Sequence, residues 1–299
     1  MRVALVGPGA IGLTFGAAAA QAGHELLVCA RRPQPATLAV DLPGGATVAV
    51  DAPVVLDPRA VDAPADLVLL AVKAHQTAGA AGWLRRLCGP DTVVAVLQNG
   101  VEQRALAQPL AGAAPVIPCV VWCPATREAP GRVGVRGPAR LVTERGPAGQ
   151  RLADALAGTF AVVEQLDPPQ LEAELWRKLA VNAVAGLLAL TGSPGDVFAR
   201  EDIGAVGLAL ARECVAVGQA AGVALDDAVV EQTLASLRAM PAGATTSIAV
   251  DRAADRPLEW DARNGVIVRL GRRHGVPTPV SEIVCALLAA ASDAAGTRS

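Results

Sequence analysis

The sequence carries no excess of charge of either sign: 26 Lys+Arg stand against 28 Asp+Glu, a formal net charge of −2 over 299 residues. A chain so balanced has no global field to draw it to nucleic acid or to an anionic membrane surface, so an anionic partner has to be met by a local site. Cysteines at metal or redox spacing are missing too. Cys29, Cys88, Cys119, Cys123, Cys214 and Cys285 are scattered through apolar segments and the one close pair is C-x-x-x-C, which points to buried, reduced thiols. Nor is there an unbroken apolar run of spanning length. The uncharged stretch from Val3 to Gly23 has a Gly-rich centre after a five-residue strand pattern, unlike a signal sequence. The stretch from Ala105 to Thr126 contains Pro109, Pro115, Pro118 and Pro124, which a spanning helix would not carry. No fixed-period repeat or low-complexity tract is evident. The expectation is a cytoplasmic protein that binds neither nucleic acid nor membrane.

What is present suits two domains with sizeable cores: 52% of the residues are hydrophobic. The chain opens with a buried-strand pattern over residues 2 to 6, followed by Gly7-x-Gly9-x-x-Gly12, an Ala-rich helix to about residue 22, and a second strand in HELLVCA. In that setting Gly7 permits the tight turn, Gly9 lets the backbone approach a pyrophosphate, and Gly12 lets the helix pack closely on the strand. Gly7, Gly9, Ala10, Ile11 and Gly12 are therefore the expected cofactor-binding loop, with the amides of the helix start facing phosphate. Arg31 and Arg32 follow the second strand where an acidic residue would hold the ribose 2′-hydroxyl of NAD. A guanidinium there suits the 2′-phosphate of NADPH.

Two further strands are expected near residues 66 to 72 and 92 to 97, ending at Lys73 and at Asn99-Gly100. Ligands of open α/β sheets lie beyond the carboxyl ends of the strands, so Lys73 and Asn99 should face cofactor or substrate. Residues 116 to 122 and the hairpin-like GRVGVRGPARLVTE add strands, and DPPQ at 167 to 170 breaks the chain. The fold class is α/β, with an N-terminal Rossmann-type domain over residues 1–168 and an all-helical domain over 169–299 whose breaks fall at TGSPGD, MPAGATTS and GVPTP. In ELWRKLAVNAVAGLLAL, Asn182 stands four residues after Lys178, on one helical face. Glu174 offers Lys178 an ordinary surface ion pair, but an amide deep in an apolar helix needs partners of its own, which a bound 2-oxo acid would provide. Ser247 at one helix start and Glu259 just ahead of another read, on their own, most often as an N-cap and a dipole-compatible first-turn acid.

Taken in order, GPGAIG, AVKAHQ, LQNGVE, ELWRKLAVN, the TTS start, LEWDARNG and RRHGVPTP make a chain that resembles the ketopantoate reductase (2-dehydropantoate 2-reductase) family over nearly its whole length. The resemblance implies NADPH and a 2-oxo acid in the cleft between the two domains. It implies Lys178 and Glu259 as catalytic residues, Asn99, Asn182 and Ser247 as substrate-binding residues, and Arg31, Lys73 and again Asn99 at the cofactor. The reaction implied is reduction of ketopantoate to pantoate. A reductase for a bulkier 2-oxo acid, an oxidising β-hydroxyacid dehydrogenase and a non-catalytic NADPH-binding regulator stay open. Two positions depart from the family. Gly186 stands where a second asparagine is common and is expected to leave room for a larger substrate, and CVVWCPA lacks a Thr-rich strand. The oligomeric state is left open, with a homodimer as the assembly considered.

Overall fold

The structure, a computed structural model, describes residues 1–296. The chain divides into two compact units, Met1–Leu171 and Glu172–Ser299. In the first, the elements in order are β1 (Arg2–Val6), α1 (Ala10–Gln21), β2 (Glu25–Cys29), β3 (Leu38–Asp41), β4 (Thr47–Val50), β5 (Val54–Val55), β6 (Leu67–Leu70), α2 (Ala81–Leu87), β7 (Val93–Val96), α3 (Gln103–Ala111), β8 (Val116–Pro118), β9 (Val120–Trp122), β10 (Ala125–Ala129), β11 (Arg132–Val135), β12 (Ala139–Glu144), α4 (Pro147–Leu156) and β13 (Ala161–Leu166).

Six of these strands form one sheet in the order β5-β2-β1-β6-β7-β8, every pair parallel. Numbered by their succession in that sheet they read 3-2-1-4-5-6, the dinucleotide-binding arrangement. Parallel sheets are covered on both faces, which is why RVALV, LVLL and VVAV read as continuous apolar runs instead of alternating ones. The pleat divides β1 between two cores. Val3 and Leu5 pack with Leu13, Phe15 and Ile117 on one face, and Ala4 and Val6 with Trp83, Leu84 and Leu87 on the other.

Two smaller sheets, β10-β11-β3-β4 and β13-β12-β9, complete the unit. The expected hairpin is not formed: β11 pairs with β10 and β3, whereas β12 pairs with β13 and β9. Between them the Arg136 amide donates to the Pro124 carbonyl at 2.8 Å, continuing the β10 ladder, and Pro138 has no amide proton to offer a hairpin. The segment DPPQ also behaves differently from a linker. Pro168 and Pro169 are the first residues of α5 (Pro168–Thr191), where a missing amide proton costs nothing, and the Asp167 carbonyl accepts from Gln170 at 2.9 Å and Leu171 at 3.0 Å.

The second unit is helical throughout: α5, α6 (Glu201–Ala220), α7 (Ala228–Arg238), α8 (Ser247–Ala253), a π-helical turn (Asp261–Gly265) running into α9 (Val266–His274), and α10 (Pro279–Gly296). Breaks fall at the three segments expected. Glycines let α5 and α6 approach. A Cβ added to Gly207 would stand 3.1 Å from Val184, and one added to Gly218 would stand 2.9 Å from the Trp176 ring. The Glu213 carboxylate of α6 accepts from the Val280 and Ser281 amides at 2.8 and 2.7 Å, capping the first turn of α10. Among the described residues α6 is the one helix long and apolar enough to cross a membrane by length and composition, and 44% of its apolar window is buried within the protein.

Gly186 does not open space. It is buried on α5, and a Cβ there would lie 3.1 Å from Leu288 of α10 and 3.2 Å from the Asn264 side-chain oxygen, so helix packing occupies the room expected for substrate. Gly186→Asn should therefore lower unfolding stability by about 1–3 kcal/mol through overpacking, read as a shift of the urea midpoint; unchanged stability would restore the open pocket. The cysteines are free, but Cys88, Cys123 and Cys285 are only partly buried, unlike Cys29, Cys119 and Cys214. Their segments are apolar, yet each stands at or beyond an element's edge or on a helix face that reaches solvent. Burial pushes the thiols of Cys29 and Cys119 up to about 12 and that of Cys88 up to about 11. At pH 8 iodoacetamide should leave Cys29, Cys119 and Cys214 unmodified until the protein is unfolded, and mass spectrometry of native-state labelling checks this.

Candidate active site

In the first unit the loop between β1 and α1 has the form the glycine pattern requires. Gly7 takes φ +97°, a left-handed backbone that side chains resist, and its amide donates to the Cys29 carbonyl at 3.1 Å. A Cβ on Gly12 would collide with the Gly7 carbonyl oxygen and approach Leu5 and Ala71, so α1 can sit against the sheet only without a side chain there. A Cβ on Gly9 would meet nothing within 4 Å, so the loop backbone is open where a phosphate would approach. Ala10, Ile11 and Gly12 begin α1, and first-turn amides have no partner within their own helix. This cradle fits the pyrophosphate of a dinucleotide. Arg127 of β10 donates to the Pro8 carbonyl at 2.8 Å and braces the loop from a distant part of the chain.

Lys73 and Asn99 lie in the loops after β6 and β7, at the carboxyl edge of the parallel sheet, both partly buried. A glutamine network joins these loops. Gln98 donates to the Val72 carbonyl at 3.0 Å and its oxygen accepts from Thr77 at 3.1 Å, while Gln103 donates to the Gln98 carbonyl and accepts from the Cys119 amide at 2.9 Å. Both glutamines are buried, so their amides order the segments on either side of Asn99. Arg31 and Arg32 follow β2 and are exposed.

In the second unit α5 brings Lys178 and Asn182 onto one face, Lys178 half-buried and Asn182 6% exposed. Glu174 stands 3.4 Å from Arg177, an (i, i+3) pair. Ser247 is the first residue of α8, following Thr246, and is exposed. The carboxylate of Glu259, 5% exposed, immediately precedes the helical residues that lead into the π turn. That turn delivers Arg263, whose Nη2 donates to the Ser247 hydroxyl oxygen at 2.8 Å. Burial lowers the Arg263 pKa, and the negative charges of Glu259 and Asp251 oppose the shift. Ser247, Glu259 and Arg263 thus belong to one cluster.

Arg127, Gln98, Gln103 and Arg263 were not singled out from the sequence. Arg263 left a signal: it shares the buried face of its helix with Val266 and Ile267, where a cation is out of place. The glutamines left none, since the partners that bury them, the Val72 carbonyl, the Thr77 hydroxyl and the Cys119 amide, come from other segments of the chain.

Residues 3–147 match the family described as ketopantoate reductase PanE/ApbA, and residues 170–292 match its C-terminal counterpart. The chain is 46% identical to the 2-dehydropantoate 2-reductase of Mycobacterium tuberculosis (strain CDC 1551 / Oshkosh), over 98% of this chain and 99% of that one. It is 41% identical to the 2-dehydropantoate 2-reductase of Caulobacter vibrioides, over 97% of this chain and 99% of the relative. The crystal structure of a PanE/ApbA family ketopantoate reductase from Ralstonia eutropha JMP134 superposes with a TM-score of 0.90 at 34% identity, covering 99% of this chain and 100% of that one. With both halves matched and relatives of this similarity aligned end to end, the chain belongs to the ketopantoate reductase family.

Proposed function

We propose that the protein reduces ketopantoate, a 2-oxo acid, to pantoate, with NADPH as the cofactor. The observation that carries this reading is Asn182, an amide 6% exposed inside an apolar helix, set on the same face as Lys178. Hydrogen-bond donors so placed suit a ligand whose carboxylate and carbonyl oxygens only accept. Family membership and the names of the aligned relatives support the choice of ketopantoate.

NADPH, when bound, supplies the hydride. Gly7, Gly9, Ala10, Ile11 and Gly12 hold its pyrophosphate, and Arg31, with Lys73, meets its 2′-phosphate. Lys178 donates to the carbonyl oxygen of the substrate, stabilises the negative charge that develops there as C2 is reduced, and passes it a proton to complete the hydroxyl. Because the ammonium acts most strongly on charge present only in the transition state, it contributes to turnover more than to binding. Glu259 orients Lys178 or the new hydroxyl. Asn99, Asn182 and Ser247 hold the acid in register.

Lys178→Ala should lower kcat with ketopantoate by about 100-fold or more. Near-normal turnover in steady-state assays would remove Lys178 from the chemistry. Arg31→Ala should weaken NADPH binding by about 1.5–3 kcal/mol and leave NADH nearly unchanged, as titration calorimetry with the two cofactors would read; equal losses for both would deny the 2′-phosphate contact.

A further inference from the structure

Arg263 is 2% exposed and is the largest side chain to be so fully enclosed among the described residues. An arginine in that position has to be compensated, because a buried guanidinium keeps its charge and gives up its water. The compensation comes from the same unit. Asp251 and Glu259, each 5% exposed, act on it with their negative charges, and Asp251 is bonded in turn to Arg256, Nε to Oδ1 at 3.0 Å. Charges alternate through the cluster, which lets a cation lie in an apolar unit.

Electrostatic compensation leaves one feature unexplained. The hydrogen bond from the guanidinium goes not to a carboxylate but to a neutral hydroxyl, that of the exposed Ser247, while the buried Arg263 Nε has no hydrogen-bond partner among the described residues. A carboxylate would be the stronger acceptor. Arg263 is carried by the π turn Asp261–Gly265, and such turns are frequent at functional sites.

We propose that Arg263 is a positioning residue that makes Ser247 an obligatory hydrogen-bond donor to the carboxylate of the 2-oxo acid. The assignment rests on the reading of the protein as a 2-oxo acid reductase with Ser247 in its site. The physical basis is the inventory of donors. A guanidinium has N–H groups and no lone pair to offer, so when Nη2 donates to Ser247 Oγ the serine proton cannot turn back toward it. The proton is directed elsewhere, and Ser247, an exposed residue at the start of α8, can direct it to whatever binds there. Accepting from a cation also polarises the O–H bond and strengthens it as a donor. Had an aspartate stood behind Ser247, the hydroxyl would donate inward and present lone pairs to the ligand, which would repel a carboxylate. The buried charge of Arg263 therefore selects the sign of the ligand without touching it, while Glu259 keeps the cation from overwhelming the site.

The test is a double-mutant cycle on kcat/KM for ketopantoate, with wild type, Ser247→Ala, Arg263→Met and the double variant, alongside the dissociation constant for NADPH and the urea midpoint of each. Ser247→Ala and Arg263→Met should each raise KM about 10- to 100-fold with a smaller change in kcat. In the Ser247→Ala background the loss of Arg263 should cost less than about twofold more, and NADPH binding should stay within about twofold of wild type throughout. A purely structural arginine would lower the urea midpoint and cost the same factor in both backgrounds, which would overturn the assignment. If Arg263→Met does not fold, Arg263→Lys keeps the buried charge but loses the planar fork; the same cycle read with it must again be non-additive. A wild-type protein that turns over no 2-oxo acid would sink the parent reading and the role of Arg263 with it. Turnover by wild type with additive losses would sink the role of Arg263 alone.

Discussion

A parallel strand that reaches the edge of its sheet leaves backbone donors and acceptors that no neighbouring strand can take, and this constraint governs the first unit. Loops at the carboxyl edge meet it by reaching sideways to adjacent strands. The Ala71 amide donates to Val6, Leu97 to Leu70 and Cys119 to Val96, so each loop is pinned to the strand beside it. Gln98 and Gln103 complete the arrangement with side-chain amides. The loops that carry Lys73 and Asn99 are thereby ordered by their neighbours more than by their own sequences, and the Gly7–Gly12 turn is held by the same device through the Cys29 carbonyl.

The helical unit meets the opposite difficulty. Its core is so rich in Ala, Leu, Val and Gly that a polar group inside it has to find its own compensation, and the buried charged side chains, Asp251, Glu259 and Arg263, stand on α8 and at or just ahead of the π turn. Asn264 illustrates the cost. Its nitrogen donates to the Ala183 carbonyl at 3.1 Å while its buried oxygen has no partner among the described residues and faces the bare backbone of Gly186. The same crowding that excludes a side chain at Gly186 brings α5 into register with the helix that presents Arg263. Packing precision and site chemistry are linked here, because small residues set the helix separations on which the polar contacts depend.

Family membership is a property of the whole chain, whereas a catalytic role is a property of single side chains. Sheet order, the glycine loop and the run of helices are distributed over the whole chain, and relatives align with them from end to end. A role for Lys178 or Ser247 depends on one atom and its partner.

By itself the sequence determined the fold class, the glycine loop, the strand ends bearing Lys73 and Asn99, and the helical face shared by Lys178 and Asn182. These are local matters: periodicity, turn sterics and the (i, i+4) neighbour relation are properties of short segments. Glycine at position 12 is required by atoms five residues away, and the pattern there is legible for that reason. Tertiary structure alone decided that β11 and β12 enter different sheets, since β11 pairs with β3, far away in the chain, while β12 pairs with β13 across α4. It likewise decided that Gly186 is filled by Leu288 and Asn264, and that Arg263, sixteen residues beyond Ser247, turns inward to reach it. Those outcomes depend on which distant atoms arrive in contact, and a contact between side chains far apart in sequence has no period for a linear pattern to record.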